Sequence, residues 1–194
     1  MTNVIALNGS PRENGNTSIL IGHIREELRN AGIETEEIRI GGHVNRGCTA
    51  CMKCFERKDR HCVFDDDIVN SCIDKMVRAD GIILGSPVYF LDVTAEMKGL
   101  IDRAGLVSMA NGDLYKRKIG VVATAVRRSG ANHCLDSMLH FMLYSGMIVP
   151  GAPVVGIGKN IGDVNSDAEG IRRARETGKN MAWLLKSLEE SARF

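Results

Sequence analysis

Four cysteines, Cys48, Cys51, Cys54 and Cys62, fall within 15 residues at the spacing C-x2-C-x2-C-x7-C. A thiolate is a soft anionic ligand, and four on so short a stretch can wrap one inorganic centre. The C-x2-C-x2-C run is the compact spacing that [4Fe–4S] clusters use. The fourth cysteine lies seven residues on with no proline after it, so it can close the same site. Zinc is a rival occupant, because four thiolates, or three with His61, satisfy a tetrahedral ion. Free thiols, or disulfides formed during isolation, fit the same spacing. Cys72 and Cys134 differ: each falls in an apolar stripe of helical period and reads as a small buried hydrophobe.

The second chemical stretch is residues 3–17. Four apolar residues, Val4 to Leu7, run into the turn Asn8-Gly9-Ser10-Pro11-Arg12, and a helical pattern begins at about Asn16. Such a turn leaves the unpaired N–H groups of a helix start at the carboxyl end of a strand. Hydroxyls of Ser10, Thr17 and Ser18, amides of Asn14 and Asn16 and the guanidinium of Arg12 add donors that suit a phosphate dianion. The same residue types also serve as plain helix caps. No Lys precedes Thr17 and Asn14 stands where a Walker loop needs its second glycine, so a nucleotide triphosphate is not indicated. The G-x-G-x-x-G dinucleotide fingerprint is missing too. What remains is a cradle for one terminal phosphate.

Two further loops share that crevice if the strands lie side by side. Gly85-Ser-Pro87-Val88-Tyr89-Phe90 offers a rigid backbone at Pro87 and Val88 and ring surface at Tyr89 and Phe90 for a planar ligand. A third loop offers Thr124, Ser129 and Gly130 with Arg127 and Arg128, groups able to stabilise charge on a reduced ring. The elements that must position these loops follow from periodicity. Strands are predicted near residues 4–7, 35–40, 82–84, 119–125 and 147–155, the last interrupted by Pro150 and Pro153 and so an edge. Helices are predicted between them, with Gly32 and Gly146 closing two, an acidic triplet, Asp65 to Asp67, opening another, and a long last helix over about 167–191. Residues 41–64 read as an irregular cysteine-rich loop. Five strands alternating with five helices predict an α/β doubly wound parallel sheet of order 2-1-3-4-5, flavodoxin-like, in one domain spanning 1–194.

Composition sets outer bounds. Lys+Arg 25 against Asp+Glu 24 leaves no basic excess for nucleic acid or an anionic membrane. No apolar run approaches ~20 residues, and nothing resembles a signal peptide, so a cytoplasmic protein is expected. There, cysteines are better read as ligands or core than as disulfides.

The motifs Asn8-Gly-Ser-Pro-Arg12 with Gly15-Asn-Thr17, Gly85-Ser-Pro-Val-Tyr-Phe90, Met97-Lys-Gly99 and Asp102-Arg103 together resemble the NAD(P)H-dependent FMN reductase family over roughly residues 1–150. That resemblance implies FMN, with its phosphate on the first loop and its isoalloxazine against the second and third. It also implies a homodimer or tetramer with flavins near the subunit interface. The cysteine run is similar to that of the iron–sulfur flavoproteins, a branch of this family, although the last spacer there is usually shorter. The function so implied is an FMN-dependent oxidoreductase taking electrons from NAD(P)H or a ferredoxin-type donor. A flavodoxin-type carrier without turnover and a zinc-stapled phosphate-binding module are the alternatives. No general base is assigned, since a flavin carries its own chemistry.

Overall fold

The computed structural model describes residues 2–191. Five strands, β1 Asn3–Asn8, β2 Glu34–Arg39, β3 Gly81–Pro87, β4 Ile119–Val126 and β5 Val154–Ile157, form one parallel sheet in the order β2-β1-β3-β4-β5. This is the predicted doubly wound, flavodoxin-like topology. The central strands are buried on both faces: every residue of β4 and six of the seven in β3 are fully covered. Continuous apolar runs such as Ile82-Ile83-Leu84 are what a two-sided strand requires. The edge strand β2 instead alternates, with Glu34, Glu36 and Arg39 exposed.

Helices α1 Asn16–Asn30 and α6 Ala168–Ser191 cover one face, burying Leu20, Ile24 and Met181 against Val4, Ala6 and Val121. Helices α3 Val69–Arg78, α4 Ala95–Ala110 and α5 Ala131–Tyr144 cover the other, around Ile5, Leu7, Leu84 and Val122. Val4/Ala6 and Ile5/Leu7 thus point to opposite cores, the period of two that a strand imposes. Each fully buried Leu or Ile contributes roughly 1.5–3 kcal/mol. Helices α1 and α5 end where predicted, with Gly32 and Gly146 at φ 78° and 70° just past their last turns. Among the described residues no helix is long and apolar enough to cross a membrane.

Two local expectations change. The fifth strand starts at Val154 rather than 147, and only Ile148 makes an isolated bridge, to Ile119. Pro150 and Pro153 have no N–H for the ladder and Gly151 sits at φ 127°, so pairing resumes only beyond them. The 41–64 segment is not wholly irregular, because a short helix, α2 Lys53–Arg57, forms inside it. A single 3-10 turn, Asp163–Ser166, precedes α6. In register, Asn8 pairs Gly85 and Gly85 pairs Ala123, so the loops leaving β1, β3 and β4 depart at one level.

Candidate functional site

At the carboxyl ends of those strands lies a crevice of about 310 Å³. The first loop contributes Ser10, Arg12, Asn16 and Thr17, the second Pro87, Val88 and Tyr89, and the third Ala125 and Arg127. Gly158 and Lys159, from the loop after β5, complete the wall. Three cations and no carboxylate line it, a field that favours an anion. Thr17 sits in the first turn of α1, 1% exposed, and its Oγ1 is buried with no hydrogen-bond partner. A buried hydroxyl left unpaired costs about 1–3 kcal/mol. Tyr115 Oη, in the core, is likewise unpaired, but at Thr17 a ligand group entering the crevice would remove the cost. A phosphate at a helix N-terminus meets that need. The donor set and the orphan hydroxyl therefore fit FMN's phosphate.

The loop is held in shape by its neighbours. Ser10 N donates to Asn8 Oδ1 (2.9 Å), and Arg12 N donates to Ser10 Oγ (3.2 Å). The backbone after β2 presses on it: a Cβ on Gly41 would lie 2.3 Å from Ser10 C and 2.4 Å from Pro11 N. Thr94 caps α4, accepting from Met97 N (3.3 Å), and its hydroxyl donates to Gly9 O (3.0 Å), which locks α4 to the loop after β1.

Not every residue singled out from the sequence meets at this crevice. Asn16 lines it, but its side chain braces the loop after β5: Nδ2 donates to Asn160 O (2.8 Å) and Oδ1 accepts from Gly162 N (3.0 Å). Ser18 turns the other way and donates to Glu37 Oε1 (3.1 Å), because one step on a helix rotates the side chain off the face. Thr124 is buried beneath the crevice, donating to Ser86 O (2.9 Å) and lying 3.1 Å from Cys134 Sγ. Phe90 is fully exposed at the tip of a tight turn closed by paired Tyr89 and Asp92, with Phe90 and Leu91 at φ 47° and 75°. Ser129 is exposed outside the wall. Gly130, at φ 92°, lets the third loop touch the second: a Cβ there would lie 2.6 Å from Leu91 Cα. Lys159 and Gly158 escaped the sequence reading because the fifth strand was placed too early.

A groove of about 340 Å³ lies at the opposite ends of β1 and β2. It borders Arg78 and Ala79 at the carbonyl end of α3, and its Lys75 is paired with Glu36. Ligands of open α/β sheets bind at the carboxyl ends of strands, and the orphan hydroxyl is there.

The four cysteines do converge. Cys48, Cys51, Cys54 and Cys62 all line one pocket with about 20 Å³ of free space, walled by Val63, Phe64, Leu106 and Val107. Cys48 and Cys51 are exposed, Cys54 is buried and Cys62 is intermediate. Ala50, Met52, Lys58 and Arg60 hold positive φ, 52°, 58°, 49° and 66°, and curl the chain about the sulfurs. Each non-glycine residue so held costs of order 1–3 kcal/mol, a load that surrounding structure or an occupant must offset. Among the described residues no group of three or more His, Cys, Asp or Glu side chains is set to hold a metal ion. By donor chemistry the four thiols suit an iron–sulfur cluster, whose thiolates each bind a different iron. His61 is engaged with Asp74 (Nε2 to Oδ1, 3.0 Å) and lies outside the pocket wall. Burial pushes the Cys72 thiol up to about 12 and that of Cys134 to about 11, so both stay protonated core residues as expected.

An open parallel sheet with a cation-lined crevice at its switch point defines a flavodoxin-like fold. The chain belongs to the NADPH-dependent FMN reductase family, whose sequence model matches residues 2–161. It is 37% identical over 196 residues to an iron–sulfur flavoprotein of Methanocaldococcus jannaschii, covering 96% of this chain and 99% of that one. An iron–sulfur flavoprotein of Methanosarcina thermophila is 31% identical over 190 residues, 97% of either chain. A solved flavodoxin from the domain Archaea superposes with TM-score 0.61 at 16% identity, over 95% of this chain and 99% of that one.

Proposed function

We propose that this chain is an FMN-dependent oxidoreductase that accepts electrons from NAD(P)H or a ferredoxin-type donor and passes them on, with a [4Fe–4S] cluster on Cys48, Cys51, Cys54 and Cys62. The observation that carries the flavin assignment is the buried, unpartnered Thr17 Oγ1 in a crevice lined by Arg12, Arg127 and Lys159. In this reading Thr17, Ser10 and the N–H groups opening α1 hold the phosphate, while Pro87, Val88 and Tyr89 form the wall for the ring. Arg127 stands where it would offset negative charge on that ring. FMN supplies the redox chemistry, accepting a hydride as a pair of electrons and releasing electrons singly. Along α4, Arg103 to Val107 lie roughly 12–18 Å from the helix start at 1.5 Å per residue. The cysteine pocket is therefore a separate site on the helix that Thr94 locks to the phosphate loop.

The chain would act as one flavodoxin-like domain in the cytoplasm, where thiols stay reduced. It would assemble as a homodimer or tetramer through surfaces that include exposed Tyr89 and Phe90. The test is anaerobic addition of NADH or NADPH to the purified protein. Bleaching of the flavin band with turnover supports the oxidoreductase. A flavin that neither NAD(P)H nor a reduced ferredoxin turns over, and that only exchanges electrons stoichiometrically, would make it a flavodoxin-type carrier.

A further inference from the structure

Among the described residues Arg103 is one of the largest fully buried side chains, 1% exposed, and it sits in the wall of the cysteine pocket. A guanidinium cannot shed its charge, so its burial needs compensation from fixed acceptors. Its Nη1 pairs with Asp67 Oδ2, and the two side chains are 0% and 1% exposed. Nη1 also donates to Arg46 O (3.4 Å) and Nη2 donates to Phe64 O (2.7 Å). The remaining fork atom, Nε, donates to Cys62 Sγ at 3.3 Å.

The anion opposite this cation is already shared. Asp67 accepts from Asn45 N (3.0 Å) and Val69 N (3.1 Å) as well as from Arg103. Carbonyls and Asp67 would suffice to brace a loop on a helix. A bond from a charged donor to a neutral thiol is weak, whereas the same bond to a thiolate is charge-assisted. The placement of Nε therefore has its full value only when Cys62 is an anionic ligand.

Building on the cluster reading above, we propose that Arg103 is a positioning residue that orients the Cys62 thiolate and raises the reduction potential of the cluster. One-electron reduction adds one negative charge to a centre already ringed by thiolates. A hydrogen bond from a fixed cation to one of those sulfurs stabilises the reduced form more than the oxidised one, and hydrogen bonds to sulfur are a known determinant of cluster potential. Arg103 thus biases the centre towards accepting an electron.

The experiment is a dithionite titration of the holoprotein under anaerobic conditions, read by electron paramagnetic resonance, after iron, sulfide and FMN are measured in each sample. Arg103→Lys keeps a cation beside Asp67 but removes the planar Nε that reaches Cys62. Arg103→Met combined with Asp67→Asn removes both charges together, so the local balance holds if the single variant does not fold. Both are expected to shift the reduction equilibrium about tenfold against the reduced cluster, which is 59 mV for one electron. A folded, FMN-loaded Arg103→Lys variant that has lost its iron overturns the proposal, because Arg103 would then brace the loop rather than set the potential. Variants that keep iron and sulfide at the wild-type potential overturn it while leaving the cluster reading intact. Wild-type protein without iron or sulfide overturns both.

Discussion

Thr17→Val replaces the orphan hydroxyl with a methyl of nearly the same shape, and its two consequences have opposite signs. Thr17 Oγ1 is buried and no protein group pairs with it, so without FMN it carries a cost of about 1–3 kcal/mol that Val does not. The flavin-free variant is therefore expected to be more stable than wild type. For a domain of this length the midpoint rises about 2–4 °C per kcal/mol. With FMN, the variant loses a hydrogen bond to a charged group, worth about 1.5–3 kcal/mol. Affinity should then fall by roughly ten- to a hundredfold, at tenfold per 1.4 kcal/mol. Thermal melts of the flavin-free forms and fluorescence titration with FMN measure the two effects separately. A less stable flavin-free variant with undiminished FMN affinity would refute the reasoning, because the hydroxyl would then be satisfied inside the protein.

Asp67→Asn leaves the buried Arg103 without its counter-charge and should cost about 3–5 kcal/mol at pH 7 in denaturant unfolding. Burial alone would raise the Asp67 carboxyl, but Arg103 and the N–H groups of Asn45 and Val69 outweigh it and hold the group below the ordinary carboxylate range. Its contribution is thus whole above about pH 4, the unfolded value, and is lost as pH falls through the lower folded value. The gap between wild type and variant should narrow only in that acid window, and a gap that narrowed near neutrality would contradict the pairing. Gly41→Ala places a Cβ 2.3 Å from the Ser10 backbone, so the phosphate loop must move. Flavin per chain after purification should drop, and full retention would show the loop tolerates displacement. Cys54→Ala should remove iron and sulfide while FMN stays bound, read by metal analysis beside the flavin spectrum. Light scattering at micromolar concentration should give at least twice the 21.2 kDa chain mass, against a single-chain mass if the exposed Tyr89 and Phe90 face only solvent.

The strands were legible because β3 and β4 carry continuous apolar runs while β2 alternates, and the order followed from strand–helix alternation, right-handed crossovers and a polar ligand-type loop after β1. The loop that walls the crevice was legible from Ser10 and Thr17, whose types and place before a helix carry their own chemistry. The fifth strand was displaced because its signal is a β-branched run on both sides of two prolines, and periodicity does not say on which side pairing resumes. That error hid Gly158 and Lys159. Ser18, Thr124 and Phe90 share loops with lining residues, yet their facing depends on a helix rotation, a buried hydroxyl partner and a turn with two positive φ angles. Asp67 read as a dipole-favouring acid at a helix start, and its pairing with Arg103, 36 residues away, had no local signature.

The most direct test is chemical analysis of protein produced and purified without oxygen and with iron supplied. FMN, iron, acid-labile sulfide and zinc are measured on one sample. The account predicts FMN together with iron and sulfide in equal amounts, about four of each per chain. Stoichiometric zinc, or protein with neither iron nor sulfide, would contradict it.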